Sequence, residues 1–250
     1  MRGSSDKQAD GGDMAHEPRI IIALDTSNLS EAEAIVEGFG DQVEFYKVGS
    51  ILFTSAGPAA VRMVRGHGKQ VFLDLKFHDI PNTVMGAVAG AARLGVSLVT
   101  VHSAGGPDMM RAALEGAARQ PGKGGSTSVA GSRPRVIGVT LLTSLAAGED
   151  IGARVLALAK DAARAGLDGV VCSPLEVGAI RQALGPDFIT VVPGIRRADD
   201  AKGDQARVAT PGQAARDGAH FLVVGRSVTA AKNPRVALGE IVAELEAVGR

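Results

Sequence analysis

The chain has 250 residues with 27 basic and 27 acidic side chains, so its formal net charge is zero and it lacks the basic field that draws nucleic acid or anionic membrane. Its longest apolar runs, such as 20–24 and 221–224, are too short to cross a bilayer, no signal-peptide pattern precedes them, and the expected location is the cytoplasm. The only cysteine, Cys172, excludes an intrachain disulfide and a thiolate metal cluster, which leaves packing as its expected role.

Residues 1–15 are polar and Gly/Ser-rich, and are expected to be a disordered leader or tag; Met1-Arg2-Gly3-Ser4 looks like an expression leader joined to a native start near Met14. The remainder, 16–250, is expected to form one domain. β-Branched runs at 19–24, 43–48, 70–75, 97–101, 136–140, 169–172, 189–192 and 221–224 alternate with Ala/Leu-rich segments of helical period. Eight such units predict an α/β fold of the (β/α)8 TIM-barrel type. An open doubly wound sheet is the alternative, but the regular repeat and the absence of a G-x-G-x-x-G turn after the first strand favour closure.

Ser30 with Glu33, Ser173 with Glu176 and Thr210 with Gln213 have the spacing of capping boxes, and Pro174, Pro211 and Pro234 stand at first helical positions after Ser173, Thr210 and Asn233. Asn82 or Thr83 is expected to cap the helix after the third strand. The Gly/Ser-rich stretch 121–134 breaks the rhythm and reads as a surface loop before the fifth strand.

In a parallel barrel, reactive groups project from the carboxyl ends of the strands. Asp25 follows strand one, Lys47 ends strand two, Asp74 and Lys76 end strand three, His102 ends strand four and Arg226 follows strand eight. Side chains alternate along a strand, so Asp74 and Lys76 share a face, and two lysines and two aspartates can converge at the mouth. Each charge alone reads equally well as a solvated rim residue. As a set they point to function, because long charged side chains are seldom gathered near a core.

Pro81 forces Ile80 into an extended conformation and carries Asp79 away from the strand axis. Asp79 is therefore a surface-loop carboxylate or a contributor to a neighbouring subunit's site. Pro193-Gly194-Ile195-Arg196 follows strand seven and Gly225-Arg226-Ser227 follows strand eight, the two loops that commonly hold phosphate in barrels. A phosphorylated substrate is expected, against the plainer reading of a turn with a solvated charge. The five histidines have no H-x-x-x-H or H-E-x-x-H spacing, so no metal site is expected.

The run Asp74-Leu75-Lys76-Phe77-His78-Asp79-Ile80-Pro81-Asn82-Thr83 resembles the signature of the orotidine 5′-phosphate decarboxylase family. Further similarity runs through Ala23-Leu24-Asp25, Lys47-Val48-Gly49, Leu142-Thr143-Ser144, Val192-Pro193-Gly194-Ile195-Arg196, Gly203-Asp204-Gln205 and Gly225-Arg226. The resemblance implies a homodimer that uses no cofactor and no metal. It implies a catalytic tetrad of Lys47, Asp74, Lys76 and the second subunit's copy of Asp79, with Lys76 as proton donor. It also implies substrate binding by Asp25, Lys47, Thr143, Pro193, Arg196, Gln205, Gly225 and Arg226, and across the interface by Ile80 and Thr83. Related Mg2+-dependent sugar-phosphate barrels share Asp-x-Lys-x-x-Asp and are the nearest rival. A noncatalytic phosphate-binding or scaffold protein is the rival from another class.

Overall fold

The computed structural model describes residues 18–119, 133–143, 150–197 and 208–248. Eight parallel strands close into a barrel in sequence order: β1 (Arg19–Ala23), β2 (Phe45–Gly49), β3 (Gln70–Phe77), β4 (Leu98–His102), β5 (Arg135–Val139), β6 (Gly169–Val171), β7 (Ile189–Val192) and β8 (Phe221–Val224). Closure is made by β1 on β8, with Ile22 paired to Val224. All eight expected strands are present, displaced by up to two residues at their ends.

Alternation sorts the apolar side chains into two cores. Ile21, Phe45, Phe72, Leu98, Ile137 and Val191 fill the barrel interior, whereas Ile22, Tyr46, Leu73, Val99, Val136 and Val170 face outward beneath the helices. The amino end of the barrel is plugged: Phe45 and Phe221 meet edge to face at 5.5 Å, and the Arg19 guanidinium lies 4.6 Å above the Phe45 ring. Among the described residues, the carboxyl end is the open end of the barrel.

The helical layer comprises α1 (Leu29–Phe39), α2 (Ser50–Ala56), α3 (Pro58–Gly66), α4 (Pro81–Arg93), α5 (Gly106–Ala118), α6 (Ile151–Ala165), α7 (Val177–Leu184), α8 (Pro211–Arg216), α9 (Arg226–Thr229) and α10 (Pro234–Val248). Thr210 caps α8 by accepting from the Gln213 amide, Asn233 Oδ1 accepts from the Val236 amide, and Ser173 accepts from the Leu175 amide.

Two expected caps are corrected. Asn28, not Ser30, caps α1, accepting from the amides of Ser30 at 2.9 Å and Glu31 at 3.3 Å, while the Asn28 amide donates to Thr26 Oγ1 and the Thr26 hydroxyl to the Glu31 carboxylate, so the turn before the helix fixes the cap two residues earlier. Neither Asn82 nor Thr83 caps α4. Ile80 occupies the cap position without a side-chain bond, because Pro81 at the first helical position has no N–H to satisfy and draws both residues into the first turn. Cys172 is buried, as packing requires. The loop expected at 121–134 falls outside the described residues except for Arg133 and Pro134, as does the whole of the leader expected at 1–15.

Candidate active site

A cavity of about 420 Å³ opens at the carboxyl end of the barrel. Its charged wall comes from three adjacent strands. Lys47 Nζ donates to Asp25 Oδ1 at 2.9 Å and lies 3.9 Å from Asp74 Oδ2, while Lys76 Nζ donates to the same Asp74 oxygen at 2.8 Å. Acid and base alternate as Asp25, Lys47, Asp74, Lys76. Gly49 is part of this arrangement, since a Cβ there would stand 2.8 Å from the Lys47 ammonium.

Lys76 reaches the cavity through a break in the sheet. Between Leu73 and Phe77, β3 advances four residues while β4 advances only two, from Val99 to Val101. Three residues of β3 therefore face Thr100 alone, and within this bulge Lys76 takes φ of 52°, the left-handed region that a side-chain-bearing residue rarely adopts. Its amide donates instead to Thr100 Oγ1 at 2.9 Å, and the Thr100 hydroxyl donates to Asp74 Oδ1 at 3.1 Å.

The wall that follows β7 and β8 is built differently. Pro193, Gly194 and Arg196 after β7, with Gly225 and Arg226 after β8, line the cavity there. Gly194 has φ of 81°, which turns the chain sharply after Pro193 in a conformation suited to glycine. Val139, Val171, Val191, Leu141 and Leu142 form an apolar flank, and Thr143 stands beside them. One cavity thus offers paired charges, an apolar face and two arginines.

Of the residues singled out in the sequence, Asp25, Lys47, Asp74, Lys76, Thr143, Pro193, Arg196, Gly225 and Arg226 converge on this cavity. Asp79, Ile80 and Thr83 do not. All three are exposed, Asp79 and Ile80 on the segment that leads into α4 and Thr83 in its first turn; Asp79 Oδ1 accepts from the Ile80 amide at 2.6 Å and Ile80 is 67 % exposed. Gln205 lies outside the described residues. His102 does not line the cavity; its ring centroid is 5.2 Å from that of His78, and burial, then the nearby His78 and Lys76 charges, hold its pKa below the usual imidazole value.

The sequence reading overlooked two groupings. Thr100, fully buried at the centre of the charged network, shares the inward parity of Leu98, but that parity alone does not mark its hydroxyl as part of the site. Glu33 and Glu37, one turn apart on α1, meet His67 after α3, with Nε2 lying 3.9 Å and 3.6 Å from the two carboxylates. Histidine spacing gave no sign of this group because its members come from different helices. His67 Nδ1 is 3.0 Å from the Met63 carbonyl, and that contact, followed by the two carboxylates, raises the pKa of the ring.

Comparison with known proteins gives one consistent result. The family described as Orotidine 5'-phosphate decarboxylase / HUMPS family matches residues 18–241. The orotidine 5'-phosphate decarboxylase of Moorella thermoacetica is 45% identical over 92% of this chain and 93% of its own length. That of Anaeromyxobacter sp. (strain K) is 48% identical over 91% and 98%. A crystal structure of orotidine 5'-phosphate decarboxylase from Lactobacillus acidophilus superposes with a TM-score of 0.77 at 37% identity, covering 91% of this chain and 99% of that one.

Proposed function

The chain belongs to the orotidine 5′-phosphate decarboxylase / HUMPS family, and on that premise we propose that Lys47, Asp74 and Lys76 carry its decarboxylation of orotidine 5′-phosphate to uridine 5′-phosphate and CO2, a step of pyrimidine synthesis. The observation that carries this assignment is the 2.8 Å pair of Asp74 and Lys76 on the cavity wall, on the far side of the eight-strand ring from the two arginines.

The chemistry needs these residue types. Loss of CO2 from the pyrimidine C6 leaves an electron pair with no adjacent carbonyl to take it up, so preorganised charge must stabilise it and a proton must arrive promptly. The ammonium of Lys76 supplies both. Asp74, beside it, crowds the departing carboxylate: two unit charges about 4 Å apart at an effective dielectric of about 20 repel by roughly 4 kcal/mol, nearly a thousandfold in rate if fully relieved. That is a fraction of what an enzyme must supply, and transition-state stabilisation by Lys47 and Lys76 provides the larger share.

Arg196, Gln205, Arg226 and the amide of Gly225 would hold the phosphate or close over it, with Pro193 shaping the loop after β7. Phosphate binding then drives closure and water exclusion. Thr143 would lie by the pyrimidine and Asp25 by the ribose. Asp79, Ile80 and Thr83 would enter the cavity of a second copy, making the working unit a homodimer, which accounts for a carboxylate and a large apolar side chain exposed together outside their own cavity. The reaction as drawn requires no metal or cofactor. Among the described residues no helix is long and apolar enough to cross a membrane, and the cytoplasm is the location that fits a nucleotide-synthesis enzyme.

The test is to follow orotidine 5′-phosphate by absorbance with a chelator present. Undiminished conversion to uridine 5′-phosphate is expected. Absence of conversion, with Mg2+-dependent turnover of a keto-sugar phosphate instead, would move the chain to the other branch of its family.

A further inference from the structure

We propose that Thr100 is a positioning residue for this decarboxylation, its hydroxyl fixing both the carboxylate of Asp74 and the left-handed backbone of Lys76; the proposal rests on the decarboxylase reading above. The argument begins with the sheet. Where β3 bulges, the Lys76 amide has no ladder partner on β4, and a buried N–H without a partner is costly. Thr100 Oγ1 accepts it at 2.9 Å.

A hydroxyl has one proton to give, and Thr100 gives it to Asp74 Oδ1 at 3.1 Å. This leaves Asp74 Oδ2 for the two ammonium groups, Lys76 at 2.8 Å and Lys47 at 3.9 Å. One side chain thereby joins the backbone of the proton donor to the carboxylate that orients its ammonium. Thr100 is fully buried, so solvent does not stand in for it. It does not line the cavity and touches no reacting atom, which is why it acts through Lys76 and Asp74. Valine has the same branched shape but can neither accept from the amide nor donate to the carboxylate.

The experiment compares Thr100→Val, Thr100→Ser and Thr100→Cys with the unaltered enzyme, measuring kcat, KM and the Kd of uridine 5′-phosphate. In Thr100→Val, kcat is expected to fall by about 10- to 100-fold, as misplacement of reacting groups does. KM and nucleotide affinity should stay within about threefold, because the arginine end of the cavity is untouched. Serine, which retains the hydroxyl, restores kcat; cysteine, of similar size and with a weak donor, does not. Unchanged kcat in the valine or cysteine variant overturns the proposal, and so does a serine variant as slow as valine, which would trace the loss to the methyl group. If valine fails to fold, serine and cysteine decide alone. An unaltered enzyme that leaves orotidine 5′-phosphate intact would instead strike down the decarboxylase reading, and the role of Thr100 with it.

Discussion

At the scale of single residues, the two ends of the cavity have separable tasks. Lys76 is held at 2.8 Å from Asp74, and if it provides the proton as proposed, Lys76→Ala removes an interaction that exists only as charge develops on carbon. kcat should fall by at least about 10³-fold with product affinity largely kept. Arg226 lines the cavity after β8 and, on the proposal above, holds a group that does not react. Arg226→Ala should raise KM by about 10- to 100-fold, the equivalent of the roughly 1.5–3 kcal/mol carried by a charge-assisted hydrogen bond. Steady-state kinetics of the two variants checks both: near-normal kcat without Lys76 would remove it as proton donor. The charged residues themselves were legible because aspartate and lysine at the ends of hydrophobic strands conflict with their surroundings. Thr100 was not, since a threonine in a strand conflicts with nothing, and only the bulge opposite gives its hydroxyl two partners.

Elements set the distances that these residues need. α4 carries the segment with Asp79 and Ile80 at its start, and α5 packs on α4 so closely that a Cβ on Gly116 would lie 2.3 Å from the Met85 carbonyl oxygen. Backbone, unlike a flexible side chain, cannot move aside locally, so Gly116→Ala should force the two helices apart at a cost of about 1–3 kcal/mol. Gly239, within α10, has nothing within 4 Å of the corresponding position, and there alanine should gain about 0.5–1 kcal/mol from helix propensity. Thermal unfolding of both variants tests the contrast, and a Gly116→Ala protein as stable as the parent would contradict the packing argument. The strands were readable because short continuous β-branched runs, repeated between longer segments of helical period, are a strong local signal. Helix starts were less so: both Asn28 and Ser30 can cap, and the choice falls to the tertiary path of the loop from β1. The crowding of Gly116 by Met85 depends on how two helices dock, for which no pattern within either helix codes.

The whole molecule raises the question of where the fourth charged residue belongs. Lys47, Asp74 and Lys76 meet within one chain, yet Asp79, three residues after Lys76, is exposed and faces away from the cavity it follows in sequence. Ile80 beside it is 67 % exposed, so a large apolar side chain borders the same carboxylate. The sequence could show that Pro81 turns the chain away, but the destination of the segment is a property of two chains together. The symmetric dimer proposed above would resolve this by lending each copy's Asp79 to the other's cavity. Two variants, Asp79→Ala and Lys76→Ala, should each be nearly inactive alone. Mixed in equal amounts and allowed to exchange subunits, half of the dimers become hybrids in which one cavity has both an intact Lys76 and an intact Asp79, so about a quarter of all cavities should regain activity. Titrating one variant against the other and measuring turnover checks the stoichiometry. Absence of recovery in a mixture shown to contain hybrids would argue against a site shared between subunits and leave the exposed loop in need of another explanation.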